Sequence, residues 1–156
     1  ENIRSQIENG IDGLLPVGTT GECATLSHRE HERVVEIAVD EADGEVPVMA
    51  GTGSNNTEEA LELTKHAAEV GADAAMLVGP YYNKPTQRGF YEHYKTLAEE
   101  VDIPQIIYNI KSRTGKNIEA ETVAKLSRID NIIGIKEASG DLKQVMDIQK
   151  ESVEGF

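Results

Sequence analysis

Apolar residues gather in short runs that recur evenly along the chain. The runs are Gly13-Leu14-Leu15-Pro16-Val17-Gly18, Val46-Pro47-Val48-Met49-Ala50-Gly51, Ala74-Ala75-Met76-Leu77-Val78-Gly79, Ile103-Pro104-Gln105-Ile106-Ile107-Tyr108 and Ile132-Ile133-Gly134-Ile135-Lys136. They repeat about every 30 residues, the length of one strand–helix–strand unit. Their near-continuous apolar character predicts strands buried on both faces of a parallel sheet.

Between the runs the hydrophobic period lengthens to that of helices. Residues 28–41 carry Val34, Val35, Ala38 and Val39 on one face, with acids and arginine on the other. Ser27 followed by Glu30 has the spacing of a capping box. A second helix opens at Thr57-Glu58-Glu59-Ala60, runs to Val70 and stops at Gly71. Further helices are predicted over 87–101, over 120–127 and from about Asp141 onwards. Such alternation means right-handed βαβ units around a parallel sheet. Five units fit either a doubly wound sheet or part of a (β/α)₈ barrel, since a complete barrel takes ~250 residues.

Composition narrows the class. The 156 residues hold 15 Lys+Arg against 28 Asp+Glu, a formal net charge of -13, which argues against nucleic-acid or anionic-membrane partners. A single cysteine excludes a disulfide-stapled scaffold and a Cys-based zinc site. No apolar run approaches the ~20 residues of a membrane span, so a soluble, cytoplasmic chain is expected. Its opening Glu1-Asn2-Ile3-Arg4 lacks Met, as though cut from something longer.

In parallel α/β folds the chemistry gathers at the carboxyl ends of the strands, and here those ends are rich in polar residues. Lys136 ends its strand, and period-two alternation puts it on one face with Ile132 and Gly134. A lysine facing inward there would be partly desolvated, which frees its amine to attack carbonyls. A solvated lysine, or one paired with Glu137, fits the same position. Tyr108 ends the preceding strand and could move a proton if its hydroxyl met that of Thr20, or it could be a core aromatic. Arg113, in Ser112-Arg113-Thr114-Gly115, suits a carboxylate clamp or an ordinary surface position. Gly18-Thr19-Thr20-Gly21 lacks the P-loop pattern. His28 and His31 have a metal-compatible spacing with no third ligand in the sequence nearby, so no metal is expected. Cys23 reads as a small packed residue.

Taken together, four segments resemble the dihydrodipicolinate synthase and N-acetylneuraminate lyase family of lysine-dependent aldolases. They are Gly18-Thr19-Thr20-Gly21-Glu22, Tyr81-Tyr82-Asn83-Lys84-Pro85, Tyr108-Asn109 with Ser112-Arg113-Thr114-Gly115, and Gly134-Ile135-Lys136-Glu137-Ala138. The resemblance covers essentially all 156 residues. It implies a single domain, a partial (β/α)₈ TIM barrel holding the second to sixth strands with their helices. The first, seventh and eighth strands and the C-terminal helices would lie outside it.

The resemblance also implies the chemistry. Lys136 would form a Schiff base with pyruvate, so no separate cofactor is expected. Tyr108 would be the general acid/base, Thr20 the hydroxyl relaying protons to it, and Tyr82 a relay reaching into a neighbouring subunit of a homodimer or homotetramer. Thr19 would lie near the pyruvate carboxylate, and Arg113 would hold the carboxylate of aspartate semialdehyde. Arg113 and the paired threonines favour the synthase branch over the sialate lyase, and another pyruvate-dependent aldolase, acting on a 2-keto-3-deoxy sugar acid, is the alternative enzyme. An inactive partial barrel is the non-enzyme alternative. Lys111 stands where the family usually has proline, which would loosen the turn carrying Arg113. A lysine-binding regulatory cleft is implied at Cys23, His28, His31, Asn55, Glu59 and Tyr81.

Overall fold

Four parallel strands form the sheet of the computed structural model, which describes residues Glu1–Phe156. They are β1 (Met49–Gly51), β2 (Ala74–Val78), β3 (Gln105–Asn109) and β4 (Ile132–Glu137), in the spatial order β1-β2-β3-β4. Strand order therefore follows chain order without reversal. Right-handed crossovers in that order put every connecting helix on one side. This is an arc of a barrel and not a doubly wound sheet, whose strand order reverses part-way.

The helices are α1 (Asn2–Glu8), α2 (His28–Ala42), α3 (Thr57–Glu69), α4 (Gln87–Glu100), the single turn α5 (Lys111–Thr114), α6 (Ala120–Leu126) and α7 (Leu142–Glu151). Their starts follow from local chemistry. Ser27 and Glu30 form the full capping box ahead of α2: the Glu30 N–H donates to Ser27 Oγ, and the Ser27 N–H donates to the Glu30 carboxylate at 2.9 Å. Asn56, Thr86 and Asp141 cap α3, α4 and α7 through side-chain oxygens. Each such cap contributes about 1 kcal/mol.

The principal core lies between the sheet and α4, α6 and α7. Phe90, Tyr94 and Leu97 of α4 pack with Leu77, Ile107, Val123, Leu126 and Ile148, all nearly inaccessible to solvent. Each large apolar side chain there contributes roughly 1.5–3 kcal/mol of burial.

Two sequence expectations need correction. The first apolar run, residues 13–18, is not a strand of the sheet. It makes one parallel bridge, Leu14 to Val48, with the Leu14 N–H donating to Pro47 O and the Met49 N–H to Leu14 O, both at 2.9 Å. Pro16 has no N–H to continue the ladder, and Val17 turns away at φ 50°. In the last run, the β3–β4 register shifts between Gln105 and Ile106. Gln105 pairs with Ile132, but Ile106 pairs with Gly134, leaving Ile133 as the extra residue of a bulge. Simple alternation therefore fails: Ile132 joins the helix-facing core, while Gly134 and Lys136 share the opposite face.

Candidate active site

The face of the sheet turned away from the helices borders a hollow of about 390 Å³ at the carboxyl ends of the strands. Two glycines let its walls come together. A Cβ on Gly51 would lie 2.6 Å from Val17 O, so glycine allows the Val17–Thr19 segment to rest on β1. A Cβ on Gly53 would lie 2.2 Å from the Val78 nitrogen, so the chain leaving β1 crosses directly over β2.

Thr19, Tyr108 and Arg113 line this hollow. Tyr108 is 5% exposed and is paired across the ladder with Lys136. The Lys136 ammonium sits 4.4 Å from the Tyr108 ring centroid, within cation–π range. Arg113 rides on α5, whose turn is closed by the Arg113 and Thr114 N–H groups donating to Ile110 O at 3.0 Å and by Gly115 at φ 77°. The turn forms with Lys111 in place of proline. Thr114 anchors it from below, donating to Lys116 O at 2.8 Å.

Other expected residues fall elsewhere. Thr20 is exposed and does not border the hollow; its neighbour Thr19 does. Tyr82 is 89% exposed and points outward at φ 68°, in a turn held by Asn83 donating through its side chain to Asn55 O at 2.9 Å. Lys136 is exposed, not partly desolvated as alternation suggested, because β4 is an edge strand with no neighbour on its far side. Nor is it paired with Glu137. That carboxylate accepts instead from Asn109 and Gln144 at 2.9 Å and from the Ser139 N–H at 2.7 Å.

The same hollow also takes in Cys23, His28, His31, Glu59 and Tyr81, while Asn55 lies outside it. His28 Nε2 lies 2.7 Å from Glu59, whose other carboxylate oxygen accepts from Ser54 Oγ. The Ser54 bond, aided by His28, holds the Glu59 carboxyl below the usual carboxylate range. His31 is nearly buried, with Nε2 2.9 Å from Gly51 O and Nδ1 unpartnered, and burial pulls its pKa down. Burial likewise raises the Cys23 thiol. No three His, Cys, Asp or Glu side chains converge as a metal ion would require. Ser54 escaped the sequence reading because its bond to Glu59 is a local loop contact without periodicity. Gln144 and Asn117 escaped it because they reach Glu137 and Asn109 from distant segments.

Comparison with known proteins is decisive on ancestry. Residues 1–156 match the dihydrodipicolinate synthetase family throughout. The chain belongs to that family. It is 63% identical over 154 residues to the 4-hydroxy-tetrahydrodipicolinate synthase of Syntrophus aciditrophicus, covering 99% of this chain and 53% of that protein. The crystal structure of dihydrodipicolinate synthase from Aquifex aeolicus superposes with a TM-score of 0.96 at 54% identity, covering 99% of this chain and 53% of that one. The synthase from Cyanidioschyzon merolae, crystallised with lysine bound, gives a TM-score of 0.95 at 42% identity over 99% of this chain and 53% of that one. The chain thus spans about half the length of the curated relatives it matches, and its four strands are an arc of the family's TIM barrel.

Proposed function

We propose that this chain carries the Schiff-base half of a 4-hydroxy-tetrahydrodipicolinate synthase, a lyase-class enzyme that joins pyruvate to L-aspartate semialdehyde in lysine biosynthesis by way of diaminopimelate. The observation that carries the reading is the approach of Lys136 to Tyr108 at the ends of adjacent strands, 4.4 Å from ammonium to ring centroid. The unprotonated Lys136 amine attacks the keto carbon of pyruvate, water leaves, and an iminium forms. The iminium draws electrons from the methyl group, a proton departs, and the resulting enamine carbon attacks the aldehyde.

Tyr108 exchanges the protons in this reading. Thr19 supports it as the nearby hydroxyl better than Thr20, because only Thr19 borders the hollow with Tyr108. Arg113, on the same wall, holds the carboxylate of the incoming semialdehyde. Tyr82, outward and exposed, suits the reach into a second subunit of a homodimer or homotetramer. No cofactor beyond the covalent lysine adduct is required, and the setting is cytoplasmic. Relatives named as synthases favour this over a sugar-acid lyase. Lysine is the proposed ligand of the hollow's far wall, with Glu59 receiving its ammonium and Tyr81 its carboxylate, and Asn55 reaching that carboxylate from outside the hollow. The lysine-bound relative supports that assignment.

Borohydride reduction in the presence of pyruvate, followed by peptide mass spectrometry, tests the central step. A reduced pyruvate adduct on Lys136, lost in Lys136→Ala, is expected. An adduct on another lysine, or none, would overturn the assignment.

A further inference from the structure

Behind the Tyr108–Lys136 pair, on the helix side of the sheet, lies a closed cluster of polar side chains. Asn109, 1% exposed, accepts from the Ile118 N–H at 3.1 Å and donates to Asn117 Oδ1 and Glu137 Oε2, both at 2.9 Å. Gln144 of α7 donates to the same Glu137 oxygen at 2.9 Å and accepts from Asn117 at 2.7 Å. The other Glu137 oxygen takes the Ser139 N–H at 2.7 Å. All three donors to this carboxylate are neutral, and none of them touches the hollow.

Position in the ladder says what the cluster does. Asn109 and Glu137 are cross-strand partners immediately after Tyr108 and Lys136, so the two pairs stand on opposite faces of the sheet, with Tyr108 bordering the hollow and Lys136 exposed beside its ring. The bulge between Gln105 and Ile106 means that pairing at the start of β4 does not dictate pairing at its end. A one-residue slip would turn Lys136 to the helix face, away from the Tyr108 ring, and Glu137 to the opposite face. The Asn109–Glu137 bond, with the Ala138 N–H donating to Asn109 O at 2.8 Å, pins the final rung.

We infer that Glu137 is a positioning residue that, through Asn109 and Gln144, holds Lys136 and Tyr108 in mutual register for the Schiff-base chemistry. The inference rests on the proposed function and deepens it. A carboxylate is required because both oxygens must accept. Glutamine would turn its NH₂ group towards either the Ser139 N–H or the two side-chain amides, leaving donors facing donors.

The test is a double-mutant cycle on the protein, read by the rate of borohydride-trapped pyruvate adduct and by kcat and KM. Glu137→Gln is expected to lower kcat by about 10- to 100-fold with a much smaller change in KM for pyruvate, the scale of a small misplacement of reacting groups. In a Tyr108→Phe background the same substitution should cost far less, because the geometry it protects no longer matters. Glu137→Asp, which keeps both acceptors, should recover part of the loss. If Glu137→Gln does not fold, Gln144→Met removes one donor at similar length and should show the same non-additivity at lower amplitude. Costs that multiply to within about twofold would overturn the inference, since a merely structural residue acts independently of Tyr108. So would unchanged trapping in Glu137→Gln. If the wild-type protein traps no pyruvate, the Schiff-base reading itself fails and takes this inference with it.

Discussion

The two faces of the sheet use the same residue types to opposite ends, and the two tyrosines show it. Tyr94 is fully buried in the helix-facing core, its hydroxyl donates to Leu77 O at 3.2 Å, and burial drives its pKa far upward. Tyr108 is nearly as buried, but its ring carries a lysine ammonium and it borders a hollow. Within β3, Ile107 turns to the helices and Tyr108 to the hollow, one residue apart. The helix side packs apolar volume and ties polar side chains such as Tyr94, Asn109 and Glu137 to internal partners. The hollow side leaves hydroxyl, amine and guanidinium groups facing open space, where a ligand can meet them.

That contrast can be broken most forcefully at Phe90, which is 0% exposed on the helix side. Phe90→Ala should cost about 3–5 kcal/mol of stability by denaturant unfolding. A loss under about 1 kcal/mol would mean that this layer is not the packed one.

Tyr108→Phe should act in the reverse sense. Stability is expected to change little, while kcat falls by about 10²- to 10⁴-fold in steady-state assays. Retained kcat would place Tyr108 with Tyr94.

His93 tests the helix side through pH. It is 5% exposed, its Nδ1 lies 2.9 Å from Thr57 Oγ1, and burial lowers its pKa from 6.5 to about 4. Between those values the unfolded chain binds the proton and the folded chain does not. Its contribution is therefore complete above pH 6.5 and declines as pH falls towards 4, by at most about 3 kcal/mol. His93→Gln should flatten the stability–pH slope across that window, and an unchanged slope would assign the acid sensitivity to other groups.

Tyr94→Phe should have the smallest effect, about 1 kcal/mol for one neutral hydrogen bond, with activity retained. A large loss of activity would give the Tyr94 hydroxyl a role that its contact with Leu77 O does not suggest.

Local features of the fold were legible before the tertiary structure. The capping box at Ser27 and Glu30, the stop at Gly71 and the central three strand positions all depend on neighbours a few residues away, and each forms where its spacing predicts. The run at 13–18 misled because its apolar pattern matches a strand, whereas Pro16 and the positive φ of Val17 limit it to one bridge. Of the candidate residues picked from motifs, Tyr108 and Arg113 border the hollow and Lys136 stands beside the Tyr108 ring. Thr19 and Thr20 are adjacent and chemically identical, so only the path of the loop over Gly51 separates the one at the hollow from the one in solvent.

The sequence by itself determined the alternation of strands and helices, their caps, and which residues stand at the strand ends, because those follow from short-range periodicity and turn chemistry. Tertiary structure alone decided that the sheet is an arc with one covered face. It also decided that a bulge puts Ile132 and Lys136 on opposite sides. The meeting of Asn109, Asn117, Glu137 and Gln144 is of the same kind. These are contacts between segments far apart in the chain, set by register and packing, and no local pattern encodes them.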